Sequence, residues 1–245
     1  MAIEKILKAQ YARTMNNAYA YAREAASSAV DANAFLDCGC GSGHEREMTL
    51  GARDDASNIR YTGLEWSTRE VEKARSHGLN VIQADLNKAL PVASASQDCV
   101  IAFSVLEHLL MPCHFLGECR RVLRTGGRLV ILTPNISTYF TALLVLAGRM
   151  PSSGPHPDSN SLSKAHELVR VTTLAESDLT VDMPEHRHLV VFSFLALKRH
   201  LADAGFRVEA AKGFGYYPLP MFMQPLFERI DPWHCHQMVF VCSKA

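Results

Sequence analysis

The sequence predicts an α/β fold in which helices cover both faces of a parallel sheet. Short apolar segments, typical of buried strands, alternate with segments of helical spacing between Phe35 and Asn135. The first of these apolar segments runs directly into a glycine-rich turn. The 245 residues, 48% of them hydrophobic and 20% charged, provide enough apolar material for one large core.

The predicted elements follow one another in a regular order. Residues 1–33 are rich in Ala, Glu, Lys, Leu and Tyr, which predicts a helical cap. Strand-like segments are then predicted at AFLDC, IRYTGLEW, LNVIQADL, DCVIAFSVLEHL and RLVILTPN. A helix between the second and third strands has Ser67 or Thr68 as its N-cap and Gly78 as its end. A further helix, HFLGECRRVLRTGG, ends in a glycine pair.

The pattern changes after Asn135. An apolar helix and a loop rich in Pro and Ser open an insertion, 136–187, at the sheet edge where a lid could close. A helix beginning at Ser193 and ending at Gly205 follows, and then two strands, RVEAAK and QMVFVCSK. We therefore expect a single domain, 1–245, with a core at 35–135, this insertion, and a C-terminal part at 188–245. Its aromatic and Met-rich loop, 213–235, is expected on the acceptor side, as a contact for substrate, subunit or core.

Composition narrows the functional classes. The formal net charge is zero, which gives no reason to expect a nucleic-acid partner, and the arginine cluster 120–128 is interpreted as a solvated face. No signal peptide is recognised, and TALLVLAG is too short to span a bilayer. Seven scattered cysteines are typical of reduced thiols, so we expect a cytoplasmic protein. WHCHQ lacks a second ligand cluster, and no metal site is predicted.

The glycine-rich turn, LDCGCGSG, points to a nucleotide-like ligand. Gly39, Gly41 and Gly43 would bring backbone N–H groups close to a ligand at the carboxyl edge of the sheet. The dinucleotide-binding motif G-x-G-x-x-G requires a glycine at the position of His44. The spacing, with Asp37 two positions before the first glycine, resembles the first motif of the class I S-adenosylmethionine (SAM)-dependent methyltransferases.

The resemblance continues to Asn135. YTGLEWS, VIQADLNKALP, DCVIAFSVLEHL and RRVLRTGGRLVILTPN resemble the later motifs of that family, in the expected order. It implies a Rossmann-like sheet of seven strands with the last strand antiparallel, and SAM as the cofactor. Glu65 would accept the ribose hydroxyls, Asp85 the adenine amino group, and Trp66 and Leu86 would flank the adenine. The residues implied to bind the cofactor are Asp37, Gly39, Cys40, Gly41, Gly43, Glu65, Trp66, Asp85, Leu86, Phe103 and Ser104.

Methyl transfer requires above all that the acceptor atom is held behind the methyl carbon. A general base is needed only when the acceptor, such as a hydroxyl, is still protonated near neutral pH. His188 and His108 are the candidate bases, with His186 behind them, although each could be a structural histidine. Some related O-methyltransferases bind a divalent metal through E-x-x-E-H. Here Ser104 replaces the first glutamate, which argues against that metal.

The sequence therefore predicts an enzyme, a SAM-dependent methyltransferase that acts on the oxygen or nitrogen of a small-molecule acceptor. That acceptor could be apolar, lipid-like or a glycan intermediate, and the protein could form a homodimer. Two alternatives stay open: a non-catalytic SAM-binding regulatory or scaffold protein, and an NAD(P)-dependent oxidoreductase.

Overall fold

A sheet of seven strands organises the described part of the protein. The computed structural model describes residues 2–29, 33–51, 55–151, 154–155 and 188–245. The strands are β1 Ala34–Cys38, β2 Arg60–Glu65, β3 Val81–Gln83, β4 Gln97–Phe103, β5 Leu123–Pro134, β6 Phe206–Phe214 and β7 Gln237–Lys244. The α-helices are α1 Ala2–Ser27, α2 His44–Leu50, α3 Thr68–Ser76, α4 Pro112–Val122, α5 Tyr139–Leu146, α6 Phe194–Asp203 and α7 Gln224–Ile230.

The strand order is β3-β2-β1-β4-β5-β7-β6. Neighbours from β3 to β5 pair in parallel, and β7 pairs antiparallel with both β5 and β6. This confirms the predicted sheet with its antiparallel last strand. The order reverses at β1, which lies between β2 and β4, so the carboxyl ends of these three strands share one edge at a topological switch point.

One face of the sheet is covered by α1. Ala18, Ala22 and Ala26 recur every fourth residue, and all three are fully buried against a cluster that includes Phe35 and Ile101. Residues four apart lie on the same side of a helix, and their small side chains let the helix backbone approach the sheet. The predicted helical cap is therefore a layer of the domain.

The opposite face is covered by α4 and α6, which bury Phe115 and Phe194 in the largest core cluster. Both predicted ends of α6 are confirmed. The Ser193 hydroxyl accepts a hydrogen bond from the N–H of Ala196 at 3.3 Å, and Gly205 has a φ of +85° after the last turn. Helices thus lie on both faces, as predicted.

Two predicted boundaries differ from the structure. The third strand is only three residues long. The glycine pair Gly126–Gly127 lies inside β5 rather than at the end of a helix, because Leu123 already pairs with Gln97 of β4. Sheet pairing thus ends α4 at Val122, four residues before the first glycine.

The four clustered arginines are engaged within the fold. Arg120 and Arg128 donate to the carbonyls of residues 205 and 25 respectively. Arg121 pairs with Glu118, and Arg124 with Asp98. They form no unpaired basic patch. Across the described part of the chain, no helix is both long enough and apolar enough to cross a bilayer.

Most of the predicted insertion, 136–187, lies outside the described residues, and so does His186. Its beginning contains α5, the predicted apolar helix, whose N-cap Thr138 accepts a hydrogen bond from the N–H of Thr141 at 2.8 Å. The role of the insertion as a lid stays a prediction.

Candidate functional site

The three glycines of the turn after β1 have left-handed backbones and differ in what surrounds them. A Cβ on Gly39 would lie 2.6 Å from Val105, and one on Gly43 would lie 2.0 Å from Leu79. A Cβ on Gly41 would meet no atom within 4 Å. Gly39 and Gly43 thus combine a positive φ with close packing against neighbouring side chains, whereas Gly41 borders open space that a ligand could fill.

The Glu65 carboxylate at the end of β2 is fastened to this turn. Its two oxygens accept hydrogen bonds from the backbone N–H groups of Gly41 at 2.9 Å and of Ser67 at 2.8 Å. Each oxygen keeps a further lone pair for another donor. The carboxylate is therefore fixed beside the open space at Gly41 and can still bind a ligand.

Asp37 is 2% exposed at the end of β1. Its Oδ2 accepts a hydrogen bond from the Tyr61 hydroxyl at 2.7 Å. Burial raises the pKa of Asp37 to about 7, although the Tyr61 hydrogen bond opposes the shift. A buried carboxyl with a raised pKa is stabilised in its ionised form by a cationic partner, so Asp37 is suited to bind a cationic group.

The residues expected around an adenine differ in exposure. Trp66 is 60% exposed, so its indole is available for packing, whereas Leu86 is 7% exposed and belongs to the core cluster. Burial alone would raise the pKa of Asp85, but hydrogen bonds from Asn87 and the charge of Lys88 hold it below its usual value. Asn87 also accepts the N–H groups of residues 110 and 111, which ties this loop to the one after β4.

The turn after β4 receives a contact from α1 that the sequence did not indicate. Ser104 has a φ of +53°, and its hydroxyl lies 3.1 Å from the hydroxyl of Tyr19. The Tyr19 ring stands edge-on to Phe103 at 6.0 Å between centroids. Arg23, one turn further along α1, donates two hydrogen bonds to Glu45 of α2, at 2.8 and 2.7 Å. Helix α1 therefore joins the turn after β4 to the start of α2.

A second group of titratable residues lies beside this turn. Glu107 is 2% exposed, and its Oε2 accepts a hydrogen bond from the Thr133 hydroxyl at 2.9 Å. His108 Nε2 lies 3.9 Å from Glu107 Oε1, and the ring of His108 is edge-on to that of His188 at 5.3 Å. The structure thus brings the two predicted bases together.

Glu107 was missed by the sequence analysis. Burial raises its pKa to about 7, against the hydrogen bonds that it accepts. Ligand atoms of Glu107, His108 and His188 all lie within 4.8 Å of one another, a spacing at which side chains could share a proton or a cation. The prediction that no metal binds stays a prediction.

The remaining predicted residues belong to the same edge. Cys40 is 4% exposed, and its side chain fills the space over Gly63 in β2. Burial raises the pKa of the Cys40 thiol. The predicted loop 213–235 is not a loop throughout: it contains the end of β6 and the helix α7. Within this segment Tyr216 is fully buried whereas Phe222 is 83% exposed, so the segment contributes both to the core and to the surface.

A family model described as a methyltransferase domain matches residues 36–131, the segment from β1 into β5 that carries the glycine turn. Residues 36–131 are thus similar to the domains of class I SAM-dependent methyltransferases. The cofactor of this family is SAM, as the names of the relatives state.

The methyltransferase domain has curated relatives. It is 36% identical over 104 residues to a probable SAM-dependent methyltransferase of Mycobacterium tuberculosis. The aligned residues cover 42% of this chain and 36% of that protein. It is 35% identical over 110 residues to a malonyl-[acyl-carrier protein] O-methyltransferase of Hahella chejuensis, covering 43% of this chain and 38% of that one. The matches thus span less than two-fifths of these relatives' lengths.

Solved methyltransferases have the same fold. A SAM-dependent methyltransferase from Thermotoga maritima superposes with a TM-score of 0.54 at 16% identity, over 99% of this chain and all of that one. A geranyl diphosphate methyltransferase superposes with a TM-score of 0.57 at 12% identity, over 93% and 78% of the two chains. At these identities the likeness concerns the fold alone.

Proposed function

We propose that the protein is a SAM-dependent methyltransferase that transfers a methyl group to a small-molecule acceptor. The observation that carries the proposal is the shared edge of β1, β2 and β4. There the open space at Gly41 is bordered by the fixed carboxylate of Glu65, and the buried carboxyl of Asp37 lies at the end of β1 on the same edge. The alternative NAD(P) function has no support from the family match.

The side chains at this edge suit the parts of SAM. The ammonium at its amino-acid end would pair with Asp37, the carboxyl best placed to gain from a cation. Its ribose hydroxyls would donate to the free lone pairs of Glu65, and its adenine amino group to Asp85. The exposed indole of Trp66 would pack on the adenine. The buried Leu86 would reach the adenine only with its edge.

When bound, SAM supplies an electrophilic methyl group on a sulfonium. The task of the chain is then to hold the acceptor atom in line behind that methyl group, and correct placement contributes roughly 7–11 kcal/mol. An acceptor hydroxyl must also lose its proton. His108 or His188 would accept it, and Glu107 would orient His108 and stabilise the imidazolium.

Oxygen is the better-supported acceptor atom. The malonyl-[acyl-carrier protein] relative and a ubiquinone-biosynthesis relative of Vibrio cholerae, 27% identical over 59% of this chain and 62% of that one, are both named O-methyltransferases. Exposed apolar residues, Phe222 and Leu226 among them, would suit a partly apolar acceptor or a second subunit.

Thermal unfolding tests the cofactor assignment. SAM and its demethylated product, S-adenosylhomocysteine, are expected to raise the unfolding midpoint by roughly 5–10 °C at about one hundred times their dissociation constants. NAD⁺ should leave it unchanged. A shift with NAD⁺ alone would overturn the proposal, and binding of SAM without turnover of any acceptor would favour the scaffold alternative.

The proposed bases are tested by His188→Ala and His108→Ala. With an O–H acceptor we expect kcat to fall roughly 10²–10⁴-fold in the variant that lacks the base, while the affinity for S-adenosylhomocysteine is kept. His114→Ala, at an exposed position on α4, is the control and should retain full activity. Assays on chelator-treated protein separate a base from a cation ligand, because only a cation site loses activity on chelation.

A further inference from the structure

The side chain of Tyr61 in β2 reaches Asp37 in the neighbouring strand β1. The strand register places Asp37 opposite Gly63, and Tyr61 lies two residues before that glycine on the same face of β2. From this position the Tyr61 hydroxyl approaches Asp37 diagonally, from β2 to the neighbouring strand β1. Tyr61 is 7% exposed and Asp37 is 2% exposed, so their 2.7 Å hydrogen bond is shielded from water.

The charged groups around Asp37 do not favour its ionised form. Burial is the main cause of the raised pKa of Asp37, and the negative charges of Glu45, at the start of α2, and Glu65, at the end of β2, raise that pKa further. Arg23 of α1 is engaged by Glu45, and Arg46 of α2 lies 5.9 Å from the centre of the Tyr61 ring. The neighbouring thiols, Cys38 and Cys40, have raised pKa values and stay neutral.

In this setting the Tyr61 hydroxyl is a donor that favours the carboxylate. We propose that Tyr61 is a positioning residue for the methyl donor, whose hydroxyl holds the Asp37 carboxyl in the orientation that receives the ammonium group of SAM. The proposal rests on the cofactor role proposed above for Asp37. It assigns the tyrosine at this position of β2 to the cofactor site, although the tyrosine itself need not touch the cofactor.

The test is isothermal titration calorimetry of Tyr61→Phe with S-adenosylhomocysteine across the pH range. Loss of the hydrogen bond should raise the pKa of Asp37 by about one unit, so the affinity should fall about tenfold near pH 6 and about fivefold near pH 7. Near pH 9 the variant and the unmodified protein should bind alike, since Asp37 is ionised in both.

Tyr217→Phe is the matched control. Tyr217 is also 7% exposed, and its hydroxyl donates to Thr14 Oγ1 at 2.8 Å, away from the glycine turn. Its affinity for S-adenosylhomocysteine should follow that of the unmodified protein at every pH. A Tyr61→Phe affinity that is unchanged near pH 6, or is lowered equally at all pH values, overturns the proposal, because a packing defect has no such pH dependence.

Asp37→Asn separates this proposal from the cofactor assignment. If Asp37 binds the ammonium group, the asparagine variant should bind S-adenosylhomocysteine more weakly, above all near pH 9. An unchanged affinity in Asp37→Asn would refute the assignment of Asp37 itself. Weakening in Asp37→Asn together with normal behaviour of Tyr61→Phe would refute only the role of Tyr61.

Discussion

The buried carboxyl of Glu107 should lower the free energy of unfolding at neutral and alkaline pH. It is 2% exposed, and burial raises its pKa from 4.5 to about 7. For a group whose pKa is raised on folding, the stabilising contribution is complete below the unfolded pKa and is lost as the pH rises through the folded one. Glu107→Gln replaces the carboxyl with a neutral group of the same shape and should remove that loss.

The magnitude follows from the two pKa values. Between 4.5 and about 7, the difference amounts to about 3 kcal/mol at pH values near 8, and to less than about 1 kcal/mol near pH 5. The glutamine carbonyl can still accept the Thr133 hydroxyl, so little is lost in return. Glu107→Gln should therefore be more stable than the unmodified protein near pH 8, with its midpoint higher by roughly 6–12 °C.

The assay is urea unfolding near pH 8 and near pH 5, with Glu118→Gln as the control. Glu118 accepts hydrogen bonds from Arg121 and from the N–H of Leu90, and the Arg121 bond holds the pKa of Glu118 below its usual value. Its replacement should destabilise the protein near pH 8. If Glu107→Gln gave no gain near pH 8, or an equal gain at both pH values, the reasoning about the buried carboxyl would be refuted.

Two further predictions concern the glycine turn and α1. Gly39→Ala should lower the free energy of unfolding by about 2–4 kcal/mol, because Gly39 has a positive φ and a Cβ there would lie close to Val105. Gly41→Ala should lower the free energy of unfolding by only about 1 kcal/mol. It should nevertheless strongly weaken the binding of S-adenosylhomocysteine measured by calorimetry. Equal stability losses would contradict this division of roles. Arg23→Gln should lower the free energy of unfolding by about 1 kcal/mol in low salt, through loss of its pair with Glu45. Urea unfolding in high salt should reduce that difference, and a salt-independent loss would count against the ion pair.

The order of elements from Phe35 to Asn135 could be predicted because each strand carries its own local pattern of apolar residues followed by a turn. The same holds for α6, whose Ser193 and Gly205 mark its two ends. The length of β3 and the start of β5 could not be predicted, since pairing with a neighbouring strand decides where a strand begins.

The candidate site was predictable only in part. Asp37, Gly41 and Glu65 stand at strand ends in a recognisable spacing, so their shared edge follows from the order of the strands. Tyr19 and Tyr61 offered no such signal, because an aromatic residue on a buried face is ordinarily part of the core. Glu107 was adjacent to a predicted base, and only its burial shows that it differs from a surface glutamate.

The sequence by itself predicted the methyltransferase domain, its cofactor and the end of the sheet at which that cofactor is expected, since local spacing encodes turns and strand ends. The tertiary structure alone decided which side chains from distant segments meet there. It brought α1 onto the turn after β4 and the start of α2, placed His188 against His108, and set the Tyr61 hydroxyl on Asp37. Those contacts join residues up to 85 positions apart, and their protonation depends on burial, which the packing of the whole domain sets.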